Sequence, residues 1–280
     1  VSCAPSGTTP VESLGRTVAA VTVGPENGLS SPEYSGPSVV SQHHVVWTGS
    51  SWALGFLHGY SKSYGLTSVG LTGAAAAPAR VLVPYDEIDQ RWYALDTDGS
   101  QSVLLRAIGA ALEIHRFDSA GTALGSPSLV NDLPPPDDWV MDMALAHGGG
   151  QTLALWNKVL GAEQSLMALR LSATGAPLGA PVEIATKVGG PLTALYDGTD
   201  FVIGWPGVST DLGCFARTMS TSGVLSARKT LVSTTFGPRQ MNISWSPTLA
   251  RHFVHCDGSG QVVDKSLAAI GSKMTFGSPG

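Results

Sequence analysis

Seven polar residues lie beside short apolar segments of this 280-residue chain, and their side chains are of types that bind cations or accept protons. Neutral imidazole, carboxylate and amide oxygen are common ligands of divalent metal ions. An imidazole beside a substrate also acts as a general base near neutral pH. The set therefore predicts metal-assisted hydrolysis. The predicted ligands of a divalent metal ion, calcium or a transition metal, are His44, Asp89, Asp142 and Asn242, and the predicted general bases are His43, His58 and His255.

Acidic residues are concentrated in two proline-containing connections. Six of the chain's 21 acids fall there: Asp86, Glu87, Asp89, Asp132, Asp137 and Asp138. They predict a carboxylate-rich rim, and the competing interpretation is an ordinary solvated surface, since Asp and Pro are common turn residues. His43 and His44 likewise have a structural interpretation as hydrogen-bonded strand residues. The spacing of these residues matches no dedicated metal-binding motif.

A turn rich in Ser, Thr, Ala and Gly recurs five times and divides the chain into units of similar length. The turn glycines are Gly73, Gly121, Gly175, Gly223 and Gly271, which are 48, 54, 48 and 48 residues apart. A short apolar strand precedes each glycine by about 17 to 20 residues. Two features that keep the same phase five times indicate an internal structural repeat.

Four short strands joined by glycine-containing turns account for the fourth unit, at residues 192–196, 201–205, 214–219 and 224–232. Units of this length and strand count are typical of β-propeller blades. The segments Tyr196–Trp205 and Trp47–Phe56 resemble the repeats of secreted bacterial β-propeller proteins. This resemblance, over residues 36–276, implies an all-β, five-bladed β-propeller of four-stranded antiparallel blades. An open solenoid is the structural alternative.

Closure of the ring is expected from an N-terminal strand. Residues 16–23 follow a turn glycine and have the pattern of an outer strand, so we expect them to pair with the sheet that contains residues 252–276. Residues 1–14 are expected to be a flexible tether and residues 15–280 a single propeller domain.

The propeller fold implies that several of the candidate residues share one face, at the mouth of the central channel. His43 and His44 begin the first inner strand, and His58 ends the second strand of the same unit. His255 has a corresponding position in the fifth unit, which adjoins the first in a closed ring, so a His/Asp cluster across this seam is expected. Because His43 and His44 point to opposite faces of their strand, only one of them readily shares a site with His58.

Composition limits the classes of function. Charged residues make up 13% of the chain, and 34 glycines and 18 prolines favour turns over long helices. With a net charge of −5 and only 16 Lys and Arg, the chain lacks the basic surface that nucleic acids and anionic membranes require. No apolar stretch is long enough for a transmembrane helix. We expect a monomer that binds a small molecule or a glycan.

Three cysteines bear on the compartment. Val1-Ser2-Cys3 and the flexible residues after it resemble the processed end of a bacterial lipoprotein, with a stray thiol as the alternative. We therefore expect a secreted or cell-envelope protein, either periplasmic or lipid-anchored. Cys214 and Cys256 are expected to form a disulfide between the fourth and fifth units, although spacing alone does not establish that their Cα atoms are close enough.

Two functions remain open. The first is a hydrolase of small esters, lactones or phosphotriesters, similar in plan to the paraoxonase and diisopropylfluorophosphatase propellers, whose motifs are absent here; a carboxylate-based glycosidase is a lesser variant. The second is a glycan- or protein-binding propeller, similar to the tachylectin-type lectins. A multivalent lectin should repeat its pocket, whereas the residues aligned with one another differ in every unit: His44, Tyr93, Met143, Thr193 and Asn242. This asymmetry favours a single site.

Overall fold

The computed structural model describes residues 40–47, 51–58, 63–70, 80–84, 93–98, 100–108, 111–130, 140–160, 163–208, 210–234 and 240–276. These residues form an all-β structure of five four-stranded sheets, in which consecutive strands pair in antiparallel fashion. The predicted five-bladed β-propeller architecture is confirmed. The expected tether and the closing strand at residues 16–23 lie outside the described residues.

Each blade consists of four strands that are consecutive in the chain. Blade one comprises β1 (Val40–Trp47), β2 (Trp52–His58), β3 (Ser63–Val69) and β4 (Arg80–Pro84). Blade two comprises β5 (Tyr93–Thr97), β6 (Gln101–Ile108), β7 (Ala111–Asp118) and β8 (Ser128–Val130). Blade three comprises β9 (Val140–Gly148), β10 (Gln151–Leu160), β11 (Glu163–Ser172) and β12 (Val182–Thr186). Blade four comprises β13 (Thr193–Tyr196), β14 (Asp200–Pro206), β15 (Cys214–Ser220) and β16 (Lys229–Val232), and blade five β17 (Met241–Ser246), β18 (Arg251–Cys256), β19 (Ser259–Asp264) and β20 (Ala269–Thr275).

The turn between the third and fourth strands has the same hydrogen bonds in blades two to five. In blade two, the Gly121 N–H donates to the Asp118 carbonyl (2.9 Å), and the Asp118 carboxylate accepts the N–H of Thr122 (2.8 Å). A polar side chain begins each equivalent turn and accepts an N–H four residues on: Ser172, Ser220 and Asp264. These local bonds explain why Ser, Asp and Gly recur in the repeat.

The fifth turn corrects one predicted anchor. The fourth residue of the turn has a positive φ in each of these blades: Gly121, Gly175, Gly223 and Leu267. The prediction that Gly271 is the glycine of the fifth turn is wrong by four residues. Gly271 lies inside β20, and Leu267 (φ 63°) has the turn position. Leu267 is buried between blades four and five, and this burial offsets the roughly 1–2 kcal/mol cost of a left-handed backbone.

The blades pack face to face, and their inner strands follow one another around the channel. β1 contacts β5, β5 contacts β9, β9 contacts β13 and β13 contacts β17. Apolar side chains fill each interface; Trp156 is fully buried between blades two and three, and Phe201 and Trp205 between blades three and four. Burial of large apolar side chains from both sheets is the main source of stability at such interfaces.

The interface of blades four and five also contains a covalent bond. Cys214 begins β15 and Cys256 ends β18, their Cα atoms are 6.2 Å apart, and their sulfur atoms are bonded. The expected disulfide is therefore present. It joins residues 42 apart in the chain and links two blades through their core.

A second interblade feature is an aspartate that faces an imidazole of the next blade. Asp98, in the first turn of blade two, lies 3.1 Å from His147 Nε2 of blade three. Asp197, in the equivalent turn of blade four, lies 3.7 Å from Nε2 of the fully buried His252 of blade five. Burial lowers the pKa of His252, which favours its neutral form.

The interface of blades three and four replaces this pair with an aromatic ring. The turn position of Asp98 and Asp197 is occupied in blade three by Gly148, and the facing residue of blade four is Tyr196. A Cβ atom on Gly148 would lie only 2.1 Å from Cδ1 of Tyr196. The absence of a side chain at residue 148 therefore leaves space for the tyrosine ring.

Candidate functional site

The structure describes the side chains of three predicted site residues: Asp142, Asn242 and His255. For three more, the structure describes the backbone: His43 and His44 lie in β1, and His58 is the last residue of β2. Asp89 and the other five acids of the predicted rim lie outside the described residues.

Asn242 and His255 lie side by side on blade five. They are directly opposite each other in the β17–β18 pair, so both side chains project from the same face of the sheet. Asn242 is exposed and His255 is half-buried. The His255 ring is 6.1 Å from the ring of Phe276, which follows β20 and is 45% exposed. The three side chains form a polar and aromatic surface. We call Asn242 and His255 the mouth pair, and Phe276 is its aromatic neighbour.

The predicted histidines of blade one lie at the corresponding end of their own sheet. His44 is opposite Gly55, and His58 is opposite Val40, the first residue of β1. This is the end of the blade at which the inner strand begins and the second strand finishes, as for Asn242 and His255. All five blades have the same strand order, so the backbone places His43, His44 and His58 at the same end of the propeller as the mouth pair.

The register corrects the predicted alignment of the units. His147–Thr152 in blade three and Trp245–His252 in blade five are equivalent pairs next to the first turn. Counting from these pairs, the residues that correspond to Asn242 are His44, Ala94, Ala144 and Thr193. The alignment through Tyr93 and Met143 is wrong by one residue. The asymmetry remains, because Ala94, Ala144 and Thr193 are buried whereas Asn242 is exposed.

Asp142 contacts backbone amides of two blades. Its Oδ1 accepts the N–H of Met143 at 2.8 Å, and its Oδ2 accepts the N–H of Leu192, just before the inner strand of blade four. The carboxyl group thereby ties blade three to blade four at the start of their inner strands. Burial raises the pKa of Asp142 to about 6, and the two N–H donors oppose that rise.

We expect Asp142→Asn to destabilise the fold by about 1–3 kcal/mol, because its NH₂ group would face a backbone N–H. The loss should be larger at pH 5 than at pH 7.5. The folded-state pKa of about 6 is above the 3.8 of a free carboxyl, so the folded wild type takes up its proton first and gains stability as the pH falls through 6. The variant lacks this gain.

Urea unfolding of both proteins at the two pH values measures the effect. The matched control is Asp257→Asn in the exposed β18–β19 turn, which should be near neutral at both pH values. A wild-type-minus-variant difference that does not change with pH would contradict a raised pKa at Asp142.

Metal ligation is not tested by this geometry. Among the described residues, no three or more His, Cys, Asp or Glu side chains are grouped so that they could hold a metal ion. Asp142 and Asn242 lie near the starts of two inner strands, β9 and β17, that are separated by β13. The assignment of His44, Asp89, Asp142 and Asn242 as ligands therefore stays a prediction.

Sequence reasoning missed the aromatic part of the site. Phe253 and Phe276 have ring centroids 6.4 Å apart on the face that carries His255. Gly260 lies beneath them, since a Cβ there would be 2.8 Å from either ring. The sequence signal was Phe276, which directly follows the last strand. Because the fifth turn was predicted at Gly271, that strand was assigned the wrong position.

Comparisons with known proteins support the propeller fold. No family model matches the chain, and no curated protein matches it. Solved structures do match. A subtype N11 neuraminidase-like protein of A/flat-faced bat/Peru is 11% identical with a TM-score of 0.57, over 85% of this chain and 74% of that one. TolB of Agrobacterium tumefaciens is 14% identical with a TM-score of 0.51, over 86% and 82%.

A prolyl endopeptidase is also similar, at 14% identity and a TM-score of 0.51 over 90% of this chain. The match covers 36% of the endopeptidase, so this chain corresponds to about a third of that protein. At such low identities these likenesses establish the propeller fold alone. The part of the chain that the structure describes contains no helix with the length and apolarity needed to cross a membrane.

Proposed function

We propose that this propeller is a binding module for a polar ligand, a small molecule or a glycan, at the channel mouth beside Asn242 and His255. The observation that carries the proposal is the exposed amide of Asn242, which lies next to a half-buried imidazole and a half-exposed aromatic ring. An amide both donates and accepts hydrogen bonds, which suits the hydroxyl groups of a sugar. Phe276 supplies the apolar surface on which a sugar ring stacks.

A single binding site follows from the same comparison of blades. The residues that correspond to Asn242 in blades two and three are alanines that pack against the next blade. Only blade five, among the four blades whose side chains are described at this position, presents an exposed amide there. One ligand per chain is the expected stoichiometry.

A glycan array identifies the ligand, and calorimetric titration then measures its affinity. We expect Asn242→Ala and His255→Ala each to weaken binding by about tenfold or more, since a lost ligand hydrogen bond costs roughly 0.5–1.5 kcal/mol directly and more where a polar group remains unpaired. Ser272→Ala, exposed on β20, is the matched control and should bind like wild type. Unchanged affinity in both site variants would move the binding site elsewhere.

The second candidate is the metal-assisted hydrolase of small esters, lactones or phosphotriesters. The observation in its favour is that His43, His44 and His58 share one end of the propeller with His255. A divalent ion held by His44, Asp89, Asp142 and Asn242 would polarise a phosphoryl or carbonyl oxygen, and His43, His58 or His255 would accept a proton from water. Turnover that is lost on chelation and restored by metal, in protein that contains about one equivalent of metal, would establish this function instead.

Export from the cytoplasm accords with either function. Disulfides persist in oxidising compartments such as the periplasm and the cell surface, and Cys214 and Cys256 form one. We therefore retain a secreted or cell-envelope location as part of the proposal. Extraction of the native protein without reductant, followed by thiol counting, tests the oxidised state in its own compartment.

A further inference from the structure

The seam between blades one and five differs from the other blade interfaces. Inner strands of consecutive blades contact each other from β1 to β17, but among the described strands β17 makes no comparable contact with β1. The face of blade one that is turned away from blade two, and the face of blade five that is turned away from blade four, are therefore the two sides of this seam.

On the blade-one side, an apolar residue is exposed where its equivalents are buried. Val45 is 55% exposed, whereas the corresponding Leu95, Leu145 and Ile243 are 3%, 6% and 5% exposed. Leu95, Leu145 and Ile243 each belong to an apolar core that contains residues of the preceding blade. Val45 has the same place in its sheet, and the described residues leave it uncovered.

The blade-five side shows the same contrast. Met274 lies opposite Gly260 in the β19–β20 pair and is 38% exposed. In blades two and four, by comparison, the outer strands end in Val130 and Val232, which are 8% and 2% exposed and pack against the following blade. Both sides of the seam thus present apolar side chains of the kind that the other interfaces bury.

We propose that the segment of this chain that precedes β1 occupies the seam, with residues 16–23 packed between Val45 of blade one and Met274 of blade five. Thirty-nine residues precede Val40, and they include four charged residues, Glu12, Arg16, Glu26 and Glu33. Residues 17–23 contain no charge and three valines, Val18, Val21 and Val23. Such an apolar, β-branched stretch suits a site between two sheets.

The position of this segment in the chain favours it over a separate partner. It is joined directly to β1, one wall of the seam, so its local concentration there far exceeds that of a second copy in dilute solution. The 16 residues between Val23 and Val40 span up to roughly 55 Å when extended, several times the separation of neighbouring sheets. Blade five already has its outer strand, β20, so the segment is available for the seam instead of completing that blade.

Met274 lies in the same row of blade five as His255 and Asn242, so the segment would border the proposed ligand site at the outer strand, and the tests below measure the segment without a ligand. Chemical labelling tests the occupant in the full-length chain with Cys3 replaced by serine. Cysteine is placed at Val45 or, in a second variant, at Met274, and labelled with a maleimide. The control is Val224→Cys in a turn of blade four, where valine is 69% exposed. We expect both seam cysteines to react at least tenfold more slowly than the control, and equal rates would overturn the proposal.

Photo-crosslinking then identifies what protects the seam. A benzoylphenylalanine at position 45 of the full-length protein should crosslink to a peptide within residues 1–39 of the same chain. Crosslinks between two chains, or only to residues 40–280, would overturn the proposal even if the cysteines are protected. Neither readout requires a bound ligand, so failure of the proposed function leaves this test unaffected.

Discussion

Replacement of Cys214 and Cys256 together by alanine should lower the free energy of unfolding by roughly 4 kcal/mol. The disulfide closes a loop between residues 42 apart in the chain, and its absence restores conformational freedom to the unfolded state. Both cysteines are fully buried in the apolar core between blades four and five, so alanine adds a small loss of packing without burying a polar group. Urea unfolding without reductant measures the difference.

The controls for this prediction use the same protein. Wild type unfolded in the presence of dithiothreitol should approach the stability of the double variant, because reduction removes the same constraint. Cys3→Ser should unfold like wild type. Two titratable thiols at residues 214 and 256 in purified, unreduced protein would contradict the disulfide itself.

Gly148→Ala should destabilise the protein by about 3 kcal/mol, near the upper end of the usual range for overpacking. The added methyl group would lie 2.1 Å from a carbon of the Tyr196 ring, far inside van der Waals contact, so either the turn or the ring must shift. Residue 148 itself lacks the positive φ of Gly149 and Gly150, so the loss would come from the tyrosine and not from backbone strain. Thermal and urea unfolding both measure the effect.

A double-variant cycle isolates that contact. The interface of blades two and three suggests which pair is compatible, since Asp98 in the equivalent turn faces His147, the residue of blade three that corresponds to Tyr196. Gly148→Asp alone should be as harmful as Gly148→Ala, and adding Tyr196→His should recover part of the loss.

Gly150→Ala is the matched glycine control, with no atom near its added methyl group. Its φ of 71° gives it only the ordinary cost of about 1 kcal/mol for a left-handed alanine. Equal losses at Gly148 and Gly150 would assign the effect to the backbone.

The candidate site was predictable only in part. Strand periodicity and the repeat placed Asn242 and His255 at one end of blade five, where the structure has them facing each other. The assignment of Asp142 as a ligand did not anticipate its bonds to the amides of Met143 and Leu192. The Leu192 contact crosses 50 residues of sequence, and no local pattern encodes which amide of a neighbouring blade will face a carboxylate.

The sequence by itself determined the all-β class and the number of blades. These features depend on hydrogen bonds and alternation within a few residues, as in the turns begun by Asp118, Ser172 and Ser220. Tertiary structure alone decided that Leu267 and not Gly271 holds the fifth turn, because burial between two blades outweighs the local preference for glycine. It likewise decided that Gly148 faces Tyr196 while Asp197 faces His252, since those partners come from different blades and meet only when the sheets pack.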